Sequence, residues 1–75
     1  IRLQSWNQSL KLRMSGQYFQ WQRGFLEREV IDDMLDLIAS RLYARWKELD
    51  IVNDFEPPGW EQEIVERLRE VGIEP

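Results

Sequence analysis

The chain has 75 residues, 10 basic and 14 acidic side chains, a net charge of −4, and neither cysteine nor histidine. A single domain of this size buries only roughly 60% of the surface its unfolded chain exposes, and disulfides, thiol catalysis and imidazole chemistry are all excluded by composition. Association is then the support expected for a marginal core.

The charge is unevenly spread. Residues 1–25 carry Arg2, Lys11, Arg13 and Arg23 and no acid, whereas residues 26–75 carry the other six bases and all 14 acids. This divides the chain into a basic, aromatic N-terminal region over 1–25 and an acidic region over 26–75, and such asymmetry concerns partners. No apolar run approaches the ~20 residues that span a bilayer, and no signal-type apolar segment opens the chain. A soluble or membrane-peripheral protein is expected, with an intracellular setting favoured. Because the chain begins at Ile1, a processed or partial chain is expected, and a preceding membrane span is left open.

The N-terminal third fits two templates. Leu10, Leu12 and Met14 alternate with Lys11, Arg13 and Ser15 as in a strand, while Leu3, Trp6, Leu10, Met14, Tyr18, Trp21 and Phe25 step by three or four as in a helix. The helix is preferred, because its stripe persists for more than twenty residues. On one straight helix Tyr18, Trp21 and Phe25 would lie about 130° from the apolar stripe that follows, so a break is expected near Gly24.

Residues 26–49 form the strongest amphipathic pattern. Ile31, Met34, Leu35, Ile38, Leu42 and Leu49 fall within a sector roughly 100° wide, with Val30, Leu37 and Trp46 on its flanks. Glu29, Asp32, Asp33, Asp36, Ser40 and Lys47 project from the other side. The width of the stripe calls for two neighbours.

A short connection over 50–56, with Ile51, Val52 and Phe55 closing the end, leads to a second helix over 58–71. Pro58 suits a first helical position, Glu61 and Glu63 the start, Arg67 and Arg69 the end, and Gly72 a left-handed terminator before Ile73. Trp60, Ile64, Val65, Leu68 and Val71 make its apolar stripe. The predicted fold is all-α: an antiparallel hairpin of 26–49 and 58–71 with an N-terminal helix or arm, in a small three-helix arrangement.

No residue pattern identifies a reaction. The carboxylates Glu29, Asp32, Asp33 and Asp36 share a helical face, but without a Glu-x-x-His pair or a glycine-bearing calcium loop they read as a solvated surface, and no metal or cofactor is expected. Ser5, Ser9, Ser15 and Ser40 have no activating base, and the glycines do not form a phosphate loop. No catalytic residue and no enzyme is therefore expected.

The N-terminal region is the functional candidate, with Trp6, Tyr18, Trp21 and Phe25 as apolar anchors and Arg13 and Arg23 as orienting charges. Arginine and aromatic residues are enriched at interface hot spots. The expected function is a non-enzymatic protein-interaction or assembly module, self-associating or a subunit of a larger complex. Two alternatives stand beside it: a membrane-interface or juxtamembrane segment, and a single-stranded nucleic-acid binder. The −8 remainder weakens the case for any polyanion partner.

Overall fold

The structure, a computed structural model, describes residues 3–52 and 55–75, with side chains from Ser5 onward. Expectations for Arg2 and for the Leu3 side chain lie outside these residues. The chain is all-α, and no strand occurs among the described residues. Helix α1 is Leu3–Gln22. A second body joins α2 (Arg28–Leu37), a π-helical turn (Ile38–Leu42) and α3 (Tyr43–Glu48) into one rod, and α4 is Trp60–Glu70.

The break expected at Gly24 is present. Gly24 adopts φ +84°, its N–H reaches the Trp21 carbonyl at 2.9 Å and the Phe25 N–H reaches Gln20 at 2.9 Å. This pair of bonds is a Schellman termination, and a left-handed residue without Cβ suits it. The same closure ends α4, with Gly72 at φ +81° and Ile73 N–H bonded to Leu68 at 2.8 Å. It also ends α3, but there the left-handed residue is Asp50, φ +57°, and Ile51 N–H returns to Trp46 at 3.0 Å.

The hairpin that forms joins α1 to the rod: Trp21 lies beside Arg28 and Asn7 beside Trp46. The connection after Glu48 does not turn α4 straight back. Residues 49–59 at about 3.3 Å each reach roughly 36 Å, enough to retrace a rod of roughly 30 Å. Phe55 passes Lys11, and the Pro58 carbonyl accepts a bond from Gln22 Nε2 at 3.4 Å. Helix α4 therefore starts where α2 starts and runs alongside it, with Arg28 on Glu63 and Asp32 on Arg67.

Two local expectations are corrected. Pro58 is not the first helical residue: Gly59 at φ +94° cannot be helical, and Trp60 N–H bonds to Pro57 at 3.1 Å. Pro58 and Gly59 thus form the centre of a turn that precedes the helix. Trp46 is not a flank residue either; it has 0% exposure. The π turn, marked by the Tyr43 N–H to Ile38 bond, inserts one extra residue and shifts the phase by roughly 100°. Tyr43 and Trp46 rotate into the core, and Leu42 and Leu49 move to its edge.

All three bodies feed one core, with Met14 and Tyr18 from α1, Ile31, Leu35, Ile38 and Trp46 from the rod, and Trp60, Ile64 and Leu68 from α4. Its one buried polar side chain among the described residues is Asn7. The Trp46 indole Nε1–H donates to Asn7 Oδ1 at 3.0 Å, which supplies a partner that a buried indole requires.

Two stability changes are expected. Asn7→Leu strands the indole N–H and should cost about 1–3 kcal/mol in urea unfolding. Asp50→Asn should raise stability by about 0.5 kcal/mol, since it keeps a side chain tolerated in the left-handed region and removes a negative charge from a helix C-terminus.

Candidate interaction face on helix α1

The six candidate residues do not form one site; the rotation of α1 separates them. Tyr18 is 4% exposed and packs on Trp60 with ring centroids 4.6 Å apart. Trp21 is half-buried, 5.2 Å from Tyr18, and carries the Arg28 guanidinium 4.7 Å above its ring. Trp6, Arg13, Arg23 and Phe25 are exposed. Phe25, expected as an apolar anchor, stands beyond the end of α1 and is exposed.

Tyr18 belongs to a polar node where α1, α2 and α4 meet. Its hydroxyl donates to Glu63 Oε2 at 2.7 Å. Arg28 grips the same carboxylate with both terminal nitrogens, Nη1 to Oε2 at 3.0 Å and Nη2 to Oε1, and its Nε reaches Asp32 at 3.2 Å. Arg67 continues the network to Asp36, to Asp32 at 3.5 Å and to Glu70 at 3.4 Å. Two carboxylates of the expected solvated face, Asp32 and Asp36, are thus partners of arginines.

The node shifts its members' ionisation. The hydrogen bond from Arg28, more than any other contact, holds the Glu63 carboxyl below its ordinary value, burial opposing and Tyr18 adding to the effect. Burial, followed by the bond to Glu63 and its negative charge, pushes the Tyr18 hydroxyl up to about 12. Arg28 is raised, chiefly through its bond to Glu63. These shifts favour a neutral phenol, a carboxylate and a guanidinium, which is a structural clamp. No group of metal-ligating side chains suited to a cation occurs among the described residues, and no described helix is long and apolar enough to cross a membrane.

The opposite side of α1 holds what the stripe does not include. Leu12 is 71% exposed and Phe19 46% exposed. Seven residues apart, they share a face two turns long. Between them Gly16 is open, with no atom within 4 Å of where a Cβ would stand. Glu56, Pro57 and Pro58 of the returning connection form the far wall, and together they outline a groove of about 740 Å³. Arg23 lies over the Phe19 ring at 5.5 Å. Arg13 and Arg23 enter no ion pair among the described residues.

Leu12 and Phe19 are hard to find in the sequence because they lie off the inward stripe, and Leu12 also fits a strand-like alternation with Leu10 and Met14. The signal that marks them is a second stepping by four and three: Ser5, Ser9, Leu12, Gly16, Phe19, Arg23.

The node makes a pH prediction. Glu63 is depressed in the folded state, so its contribution is fully present above its ordinary value of 4.5 and is lost as pH falls through the lower folded value. Tyr18 is raised, so stability is retained below pH 10 and lost as pH rises toward about 12. Urea midpoints across pH should show both limbs. Tyr18→Phe should cost about 1 kcal/mol at pH 7 and flatten the alkaline limb, and Glu63→Gln should flatten the acid limb.

Comparison of this chain with protein-family models, with curated proteins and with solved structures finds no match.

Proposed function

We propose that this chain is a small non-enzymatic protein-interaction module that docks a protein partner on the outer face of α1. The observation that carries the reading is the exposure of Leu12 and Phe19 on one face of a helix whose other face lies in the core. A Leu at 71% and a Phe at 46% exposure, two turns apart and separated by an open glycine, form a concave apolar surface with room for side chains from outside. Such a rimmed apolar patch is the usual mark of an interaction site.

Charge gives the face its preference. Helix α1 and the residue just past its end carry three cations, Lys11, Arg13 and Arg23, and this segment has no acid. Arg23 extends the apolar surface through the face of Phe19, so an arriving group meets an aromatic anchor and a guanidinium together, the residue pair enriched at hot spots. With Tyr18 and Trp21 packed into the fold, the docking role centres on Leu12 and Phe19, with Arg13 and Arg23 kept as orienting charges and Trp6 and Phe25 as exposed apolar residues outside the groove.

The test uses a photo-reactive amino acid at Leu12 in the full chain, expressed in cells and irradiated. Adducts to protein, lost when Phe19→Glu is added, are the expected outcome. Absence of protein adducts, together with a blue shift of tryptophan emission on adding anionic vesicles or single-stranded DNA at low salt, would overturn the reading in favour of a polyanion partner.

A further inference from the structure

A second exposed apolar surface lies elsewhere on the molecule. Val71, at the end of α4, is 54% exposed, and with Ile73 it borders a cleft of about 390 Å³ against Ala39, Ser40 and Asp36 of the rod. This surface arises because the apolar stripe of α4 runs one turn past Leu68, while the π turn presents only small side chains, Ala39 and Ser40, opposite it. Its rim is acidic. Asp36 and Glu70 keep most of their side-chain surface in solvent even though Arg67 touches both, and Glu74, next to Ile73 in the chain, is exposed.

The two surfaces share no residue. One is the groove that holds Leu12 and Phe19, with Arg13 and Arg23 exposed on the same segment of chain and Glu56 on the far wall. The other is a cleft floored by small residues with carboxylates alongside. A surface richer in bases and a surface richer in acids on separate parts of one molecule are the conditions for head-to-tail contact. Self-pairing of α1 with α1 is disfavoured by the same charges, because two acid-free helices would bring cations to cations.

Resting on the reading of α1 as a docking face, we infer that its partner is a second copy of this chain: Leu12 and Phe19 of one copy seat against the Val71–Ile73 cleft of the next. Such a contact is heterologous, so each copy retains an unused surface of each kind and association continues into a ring or an open chain. Attraction between the basic and acidic rims orients the encounter, and added salt weakens it.

Sedimentation of the full chain over micromolar to millimolar concentration tests this, with two variants at exposed positions whose folding is checked by circular dichroism. Leu12→Glu with Phe19→Glu disables the α1 surface, and Val71→Arg disables the cleft. The expected result has four parts. The unmodified chain grows beyond two copies with concentration; growth is reduced in 1 M salt, where the Debye length is about 3 Å; each variant alone stays single; and the two mixed form one-to-one pairs and go no further. If Val71→Arg alone still forms a dimer, the contact is a symmetric one through α1, which overturns the head-to-tail inference but keeps the docking face. If the unmodified chain stays single throughout, the second copy is not the partner. Photo-adducts from position 12 to a different protein would then show that the docking-face reading survives without it.

Discussion

The rotation of α1 about its own axis is the constraint on which the rest of this structure depends. Two polar anchors set it, eleven residues apart on the inward face. Near one end Asn7 accepts the indole N–H of Trp46, and near the other Tyr18 donates to Glu63. An apolar helix face alone permits sliding and rotation at modest cost, because dispersion and burial are non-directional. A hydrogen bond is directional, and a buried donor left without an acceptor is expensive. With one bond to the rod and one to α4, the helix has a single phase, and Leu12 and Phe19 point outward as its geometric result.

These anchors are unequal in kind. Trp46 and Asn7 are both buried, so their bond is protected from water and its loss would leave an indole N–H without compensation. The Tyr18–Glu63–Arg28 node is partly exposed and borrows strength from charge. A bidentate guanidinium–carboxylate pair fixes geometry better than a single contact, and the Trp21 ring beneath Arg28 restricts the guanidinium further. The outer pairs to Asp36 and Glu70 are more exposed and carry little stability of their own. The node therefore serves best as an alignment device that brings the starts of α2 and α4 to the end of α1.

Much of this fold is legible in the sequence where a residue type has one physical reading. Gly24 and Gly72 can end helices in the left-handed region without penalty, and both do so. The rod's stripe is legible up to Ile38 because a regular 3.6-residue period holds there. It becomes illegible at the π turn, since one inserted residue moves Tyr43 inward from a position a regular helix would place outside. Helix α1 is hard to read for a different reason. It carries apolar residues on two opposed faces, Leu10, Met14 and Tyr18 inward and Leu12 and Phe19 outward, and their contributions to a helical moment cancel. Asn7 adds to the difficulty, as a polar residue in the core is legible only once its partner Trp46 is known to be buried. The length of the connection permits either direction for α4, and the Gln22–Pro58 bond and the ion pairs of Arg28 with Glu63 and Arg67 with Asp32 select one.

The unequal charge of the chain takes on a different meaning once the ion pairs are placed. The arginines that hold the fold, Arg28 and Arg67, both belong to the acidic region and find their carboxylates there. Arg13 of α1 and Arg23 just past its end contribute to none of these pairs, and the contacts between α1 and the body include aromatic packing, the cation–π contacts of Lys11 on Phe55 and Arg28 on Trp21, and hydrogen bonds from Tyr18 to Glu63 and from Trp46 to Asn7. Among the described residues, Arg13 and Arg23 thus take no part in ion pairs that attach the basic segment to the acidic body. Had the split served the fold, acids of α2 or α4 would face the α1 arginines. Among the described residues none pairs with Arg13 or Arg23, so the charge of these two arginines stays on the surface, where its range is about 8 Å at physiological salt. The charge of Arg13 and Arg23 acts between molecules, and it does so beside Leu12 and Phe19, among the large apolar side chains that this small core leaves in water.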